Sequence, residues 1–187
     1  MELILASQSP RRRELIQLLN MPFRVQVADI DETMDSTKPV EQEVARVSLM
    51  KARAISSDGV VVAADTVVVC DGKVLGKPKD RDDAFQMLRM LSGRTHQVMT
   101  GLSVVTQTKE MSVTEVTDVT FRKLTDREIW AYIDSGDPMD KAGSYGIQNG
   151  GALFVEGIKG DYFNVVGLPV CRLGLILKEV MPMEEQQ

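Results

Sequence analysis

Leu3-Ile4-Leu5-Ala6-Ser7-Gln8-Ser9-Pro10-Arg11-Arg12-Arg13-Glu14-Leu15 is the stretch from which the fold is read. Leu3 to Ala6 is a short apolar run of buried-strand type, Ser9 is an N-cap residue and Pro10 suits the first position of a helix. A strand therefore feeds a helix. Three arginines then fall in the first turn, where the helix dipole already presents positive charge. Either they are solvated, with Glu14 offsetting one of them, or an anion belongs there. A phosphate chain would be held both by the unpaired amides of the turn and by guanidinium forks. Successive helical residues turn by about 100°, so three consecutive arginines cannot share a face, and Arg13 is expected in solvent.

With 187 residues, 43% of them hydrophobic, the chain is long enough for a sizeable core. Its length favours one domain, 1–187, with room for two lobes around a cleft and a frayed tail over 181–187. The net charge of -5 gives no general attraction to nucleic acid or to an anionic membrane, so the basic N-terminal cluster reads as a site. Cys70 and Cys171 lie far apart, which fits reduced thiols and offers no zinc pattern. No apolar stretch approaches a membrane span and the N-terminus lacks a signal peptide's pattern. A soluble, cytoplasmic protein is expected.

The helix of about residues 10–19 stops at Asn20 and Pro22, and Phe23 to Val27 alternates as a second strand. Asp29-Ile30-Asp31-Glu32 follows, either as a solvated turn or as oxygen ligands for Mg2+ or Mn2+. Thr37 and Pro39 open a helix whose apolar positions Val40, Val44, Val47 and Ala54 share a face. Lys51, central on that face, either snorkels outward or aims its ammonium into a cleft. Gly59 to Cys70 is the most apolar run and reads as a buried central strand, interrupted by Asp65. A carboxylate there is costly unless it is paired, bound to metal or at an open strand end, so it points to function.

Asp71-Gly72 signals a tight hairpin, with Lys73 to Gly76 returning and Lys77-Pro78-Lys79 following. Asp80, Asp82 and Asp83 open a helix ended by Ser92-Gly93. Thr95 to Thr106 and Met111 to Phe121 read as a long hairpin, which makes the lone His96 a strand residue and no catalyst. Thr125 and Glu128 form a capping box for a helix burying Ile129, Trp130 and Ile133. The glycine-rich stretch Asp140 to Ala152 is either a connector or a loop that lets backbone approach a ligand. Leu153 to Val155 and Tyr162 to Val166 look like strands, and Leu168-Pro169 opens a last helix through Val180.

Several catalytic designs lack their residues. A Ser-His-Asp triad would depend on His96 without a nucleophile-elbow motif, and Gly72 to Lys77 is too short for a phosphate-binding loop, with Pro78 in place of the required Ser or Thr. No dinucleotide fingerprint follows a strand. What remains is arginines at a helix start, Lys51, Lys77 and Lys79, isolated carboxylates at Glu32 and Asp65, and a glycine-rich loop. Cations would neutralise a polyphosphate, while the carboxylates hold a divalent ion and take a proton from water. That combination predicts hydrolysis of a phosphoanhydride.

Ser7-x-Ser9-Pro10-Arg11-Arg12-x-Glu14-Leu15, Ala64-Asp65-Thr66, Gly76-Lys77-Pro78, Leu91-Ser92-Gly93 and Asp140-Lys141-Ala142-Gly143-x-Tyr145-Gly146-Ile147-Gln148 stand in this order. Together they resemble the Maf nucleotide pyrophosphatases, also called septum formation inhibitor proteins, over about residues 3–170. The resemblance implies an elongated α/β fold shared with inosine triphosphate pyrophosphatases, with a mixed sheet, flanking helices and a central cleft between two lobes. It implies cleavage between the α and β phosphates of a nucleoside triphosphate, giving the monophosphate and pyrophosphate. Asp65 would be the proton acceptor, and Arg11, Thr66 and Gln148 would be linked to substrate choice. Ser7, Arg12, Glu32, Lys51 and Lys77 would be further polar positions of the cleft, with Glu32 and Asp65 as contacts to Mg2+ or Mn2+.

Gly146-Ile147-Gln148 is similar to the branch acting on dTTP and UTP, and a glutamine amide can both donate and accept toward a pyrimidine edge. Asn149 stands where glycine is common in that branch; asparagine tolerates a left-handed backbone better than most residues. The implied partner is the nucleotide, with no nucleic acid and no membrane, and a homodimer is left open. Two other functions stay open: a nucleotide-binding regulator of septum formation that needs no turnover, and a house-cleaning enzyme for modified nucleotides.

Overall fold

The computed structural model describes residues 2–181, so the expected tail from residue 182 onward lies outside the described residues. Among the described residues, seven strands and six α-helices build a mixed α/β fold. Strands β1 (Leu3–Leu5), β2 (Phe23–Val25), β3 (Val60–Cys70), β4 (Lys73–Leu75), β5 (Thr95–Val105), β6 (Glu110–Phe121) and β7 (Val155–Lys159) form one sheet. Its order is β2-β1-β3-β5-β6-β7, with β4 also paired to β3. β1 runs parallel to both β2 and β3, whereas β3/β4 and β6/β7 are antiparallel. The helices are α1 (Pro10–Ile16), α2 (Val40–Arg53), α3 (Arg81–Leu91), α4 (Asp126–Asp134), α5 (Tyr162–Val166) and α6 (Val170–Val180).

Local chemistry accounts for several boundaries. The Ser9 side chain accepts the Arg12 N–H at the start of α1, Asp80 accepts the Asp83 N–H at the start of α3, and Thr125 with Glu128 completes a reciprocal capping box on α4. Asp71 and Gly72 both take positive φ, 49° and 75°, the pairing that a two-residue turn between right-twisted strands requires. Thr106 donates its N–H to the Lys109 carbonyl, at 2.8 Å, to close the turn from β5 to β6.

Contacts divide the chain into two compact units; three of the divisions in sequence fall inside β3, β5 and β6, and the fourth falls between α5 and α6. Among the described residues, the first unit holds 2–65, Thr100–Glu115 and 167–181. Its core includes Ile4, Ala6, Ala52, Ile55, Val61 and Ala63. The second holds Thr66–Met99 and Val116–Val166, around Leu88, Leu91, Phe121, Ile129, Ile133 and Phe154.

Three expectations are corrected. Tyr162 to Val166 is helical and Leu153 lies in a 3-10 turn, leaving Val155–Lys159 as the strand. The Asp161 carboxylate accepts the N–H of Phe163 at 2.8 Å and of Asn164 at 3.3 Å, a helix-start pattern that overrides the strand preference of the aromatic and β-branched residues. Buried Asn164 then spans to the Val98 carbonyl and Thr117 Oγ1. Ala54 is exposed at the end of α2, where Ala52 takes the inward position. Trp130 is only partly buried, stacked on Phe85 with ring centroids 4.7 Å apart, while Tyr132 is the aromatic that α4 buries.

Candidate active site

In the first unit the β1–α1 junction turns one arginine inward. The buried Ser7 hydroxyl accepts the Ser9 N–H at 3.2 Å and Arg12 Nη1 at 3.3 Å, while Arg12 Nε donates to the Gly167 carbonyl at 2.7 Å. Burial pulls the Arg12 guanidinium below its usual range; Asp65 and Glu32 oppose that pull and Arg11 adds to it. Arg12 thus lies in the field of both carboxylates. By surface exposure Arg11 and Arg12 are both intermediate, whereas Arg13 is exposed, as the 100° spacing predicts.

Lys51 resolves the question its position on α2 raised. Its Nζ lies 2.8 Å from Asp65 Oδ1 and 3.1 Å from Glu32 Oε2, so its ammonium bridges two carboxylates. The Asp65 side chain is 15% exposed and needs such a partner; Glu32, at 57%, faces water. Asp31 takes no part in this cluster: it accepts the Thr33 N–H at 2.9 Å and shapes the turn.

The Glu32 loop is itself fastened to α2. Glu43, 1% exposed, accepts the Asp35 N–H at 2.7 Å and pairs with Arg46 at 2.8 Å, and Arg46 Nη2 reaches the Thr33 carbonyl at 2.9 Å. Sequence reasoning passed over Glu43 and Arg46, although their i,i+3 spacing on a helix is an ion-pair signature.

Glu32 and Asp65 converge on one ammonium, a spot that suits a cation. Among the described residues no group of three or more His, Cys, Asp or Glu forms a closed metal cage. Two carboxylates suit Mg2+ or Mn2+, hard cations completed by phosphate and water oxygens, and do not suit a structural site built from protein ligands alone.

The second unit carries Thr66, Lys77 and Gln148. Thr66 is a partly buried residue of β3; Lys77 is exposed in the turn after β4. That turn is tied to the glycine-rich stretch, since Gly143 donates its N–H to the Gly76 carbonyl at 3.0 Å. Gly143 has φ +70°, and a Cβ there would come within 2.7 Å of Val68 Cγ2, so only glycine fits. Lys79 lends its backbone N–H to Asp83 Oδ2 at 2.9 Å. Gln148 is exposed. Asn149 has φ -115°, outside the left-handed region, and its side chain donates to Asp137 Oδ1 at 2.9 Å.

Behind this stretch lies His96, a buried strand residue as expected, with Nε2 2.7 Å from the Tyr145 hydroxyl and its ring edge-on to Phe121 and Tyr145. Burial pulls the imidazole pKa down from 6.5 to about 4. The unfolded chain therefore binds a proton that the folded one refuses. This group's contribution to stability is complete above about pH 6.5 and is lost as pH falls toward 4. Between about pH 7 and about pH 5 the protein is expected to lose about 2 kcal/mol from this source, and His96→Gln to remove that slope. Urea midpoints across the window check it; equal slopes for the two proteins would contradict it.

Among the described residues no helix is long and apolar enough to cross a membrane. Cys70 is buried and Cys171 exposed, and both are free thiols.

Residues 2–180 match the family model described as Maf-like protein. A Bacillus cytotoxicus protein named dTTP/UTP pyrophosphatase is 48% identical over 179 residues, covering 94% of each chain. A Bacillus cereus (strain G9842) protein of the same name is 45% identical over 181 residues, covering 95% of each. Among solved structures, the Staphylococcus aureus Ham1 protein aligns with a TM-score of 0.54 at 13% identity, covering 96% of this chain and all of that one. That likeness concerns the fold alone, and it agrees with the mixed α/β sheet described above. On the evidence of a match running almost from end to end, the chain belongs to the Maf family.

Proposed function

We propose that this chain hydrolyses nucleoside triphosphates, dTTP and UTP foremost, between the α and β phosphates to release the nucleoside monophosphate and pyrophosphate. The observation that carries the reading is Lys51 held between Asp65 and Glu32, in the field of Arg12, in a member of a family whose curated relatives are named dTTP/UTP pyrophosphatases. Water adds across the anhydride bond and its proton passes to Asp65 as general base. Lys51, Arg11, Arg12 and Lys77 balance the charge of the triphosphate, and Ser7 holds Arg12 in place. Thr66 and Gln148, with Arg11, are assigned to substrate choice; the Gln148 amide offers both a donor and an acceptor to a pyrimidine edge.

Glu32 and Asp65 would hold Mg2+ or Mn2+, which when bound polarises the phosphate oxygens and lowers the pKa of coordinated water. Incubation with dTTP, UTP and GTP in the presence of either cation is expected to release pyrophosphate from the two pyrimidine nucleotides. Release of inorganic phosphate alone would refute the bond assignment, and equal turnover of GTP would refute the base preference.

A further inference from the structure

The backbone around Gln148 is pinned on both sides to one carboxylate, Asp137. Before Gln148, the Gly146 N–H donates to the Tyr132 hydroxyl at 3.0 Å, and that hydroxyl donates to Asp137 Oδ2. After it, Asn149 Nδ2 donates to Asp137 Oδ1 at 2.9 Å, and the Asn149 N–H closes back on the Gly146 carbonyl at 3.3 Å. Asp137 has a 16% exposed side chain and is balanced by Lys141 Nζ, which lies 2.9 Å from Oδ1. Burial opposes its ionisation, yet the hydrogen bonds from Tyr132, Lys141 and Asn149 outweigh burial and hold the carboxyl below its usual range. An ionised carboxylate only accepts, so the asparagine must present its amide nitrogen and the contact has one polarity.

The segment also has little room to settle elsewhere. A Cβ at Gly150 would lie 2.8 Å from the Tyr132 ring, one at Gly146 would lie 2.6 Å from Lys141 Cε, and one at Gly151 would lie 2.5 Å from the Gly146 carbonyl oxygen. Close packing fixes the ends of the segment, while Gln148 and Asn149 themselves are exposed. The Asn149 side chain is therefore the tether nearest to Gln148 on the solvent side.

We infer that Asn149 is a positioning residue for substrate choice: its amide, latched to Asp137, holds the Gln148 backbone in a single conformation so that the Gln148 amide meets the nucleobase already oriented. This rests on the reading above that Gln148 contacts the base. A recognition side chain on a loosened backbone binds only from the fraction of molecules in the competent conformation, and apparent affinity falls by that fraction. Residues that act on the phosphates are untouched by the loss. The signature is thus a change in KM with kcat preserved.

The test is steady-state kinetics on dTTP and UTP with pyrophosphate as the product measured, for the wild type, Asn149→Ala, Asn149→Asp, Gln148→Ala and the Gln148→Ala/Asn149→Ala double variant. Asn149→Ala is expected to raise KM about tenfold with kcat within about twofold, and to speed amide exchange at Ile147 and Gln148 while α4 stays protected. Asn149→Asp, which cannot donate at neutral pH and sets a like charge beside Asp137, should raise KM at least as far. In the Gln148→Ala background the Asn149 substitution should add less than about twofold, because the side chain it orients is gone. An unchanged KM in Asn149→Ala, or its full effect repeated in the Gln148→Ala background, overturns the inference while leaving the enzyme reading intact. A wild type that releases no pyrophosphate overturns that reading and the inference with it.

Discussion

Asp65→Asn is expected to lower kcat on dTTP by about 10³-fold or more while leaving nucleotide binding within about tenfold of the wild type. The substitution is isosteric, and the amide oxygen can still accept from Lys51 Nζ, which lies 2.8 Å from Asp65 Oδ1. The strand also keeps its place, because Ala63 and Ala64 before it and Val67 and Val68 after it stay buried. What disappears is the negative charge that takes the proton from water. Glu32, at 3.1 Å, is then the remaining charged partner of Lys51, which stays available to the phosphates. Pyrophosphate release measures the rate and titration with a non-hydrolysable nucleotide measures binding. Turnover close to the wild type would remove Asp65 from the base role; loss of binding in step with turnover would recast it as a substrate ligand.

Gly101→Ala is expected to cost about 3 kcal/mol of stability and to reduce activity together with it. Gly101 lies in β5 beneath α2, where a Cβ would be driven into the Val44 carbonyl and to 2.8 Å from the Ala45 nitrogen. Both obstacles are backbone, so relief requires the helix to move rather than a side chain to turn. α2 is seated at that level by polar contacts that a shift would stretch. Ser48 Oγ meets Ser103 Oγ at 2.7 Å, Ser112 Oγ donates to the Ala45 carbonyl at 3.2 Å, and Thr114 Oγ1 donates to the Glu41 carbonyl at 2.8 Å. The same helix carries Lys51, and a displacement of about 1 Å at a reacting group can cost about 10²-fold in rate. Urea unfolding and kcat measured on the same preparation check both effects; an unchanged midpoint would show that α2 lifts off β5 without penalty.

Features written into neighbouring residues are legible in the sequence alone. Ser9-Pro10, Asp80 with Asp83, Thr125 with Glu128, and Asp71-Gly72 each close their hydrogen bonds or turns within a few residues, so the boundaries they mark fall where expected. Apolar runs such as Val60 to Cys70 announce buried strands for the same reason. Tyr162 to Val166 misleads because its composition favours a strand, while the deciding hydrogen bonds come from Asp161, just outside the run.

The candidate site is legible as a set of residue types, and the motifs name its members, but not their geometry. That Asp65 needs a partner follows from a carboxylate set in an apolar run; that the partner is Lys51 depends on α2 lying over β5, which Gly101 permits. Which arginine turns inward depends on the Gly167 carbonyl, 155 residues along the chain from Arg12. Asn149 reads as a backbone substitution for glycine and proves to be a side-chain latch, because Asp137 and Tyr132 lie beside it. Most elements, the family and the chemical inventory can be read from residue order, since propensity, capping and motif spacing act over short distances. Which charges meet and which loops are held follows from packing alone, because those contacts join groups from distant parts of the chain.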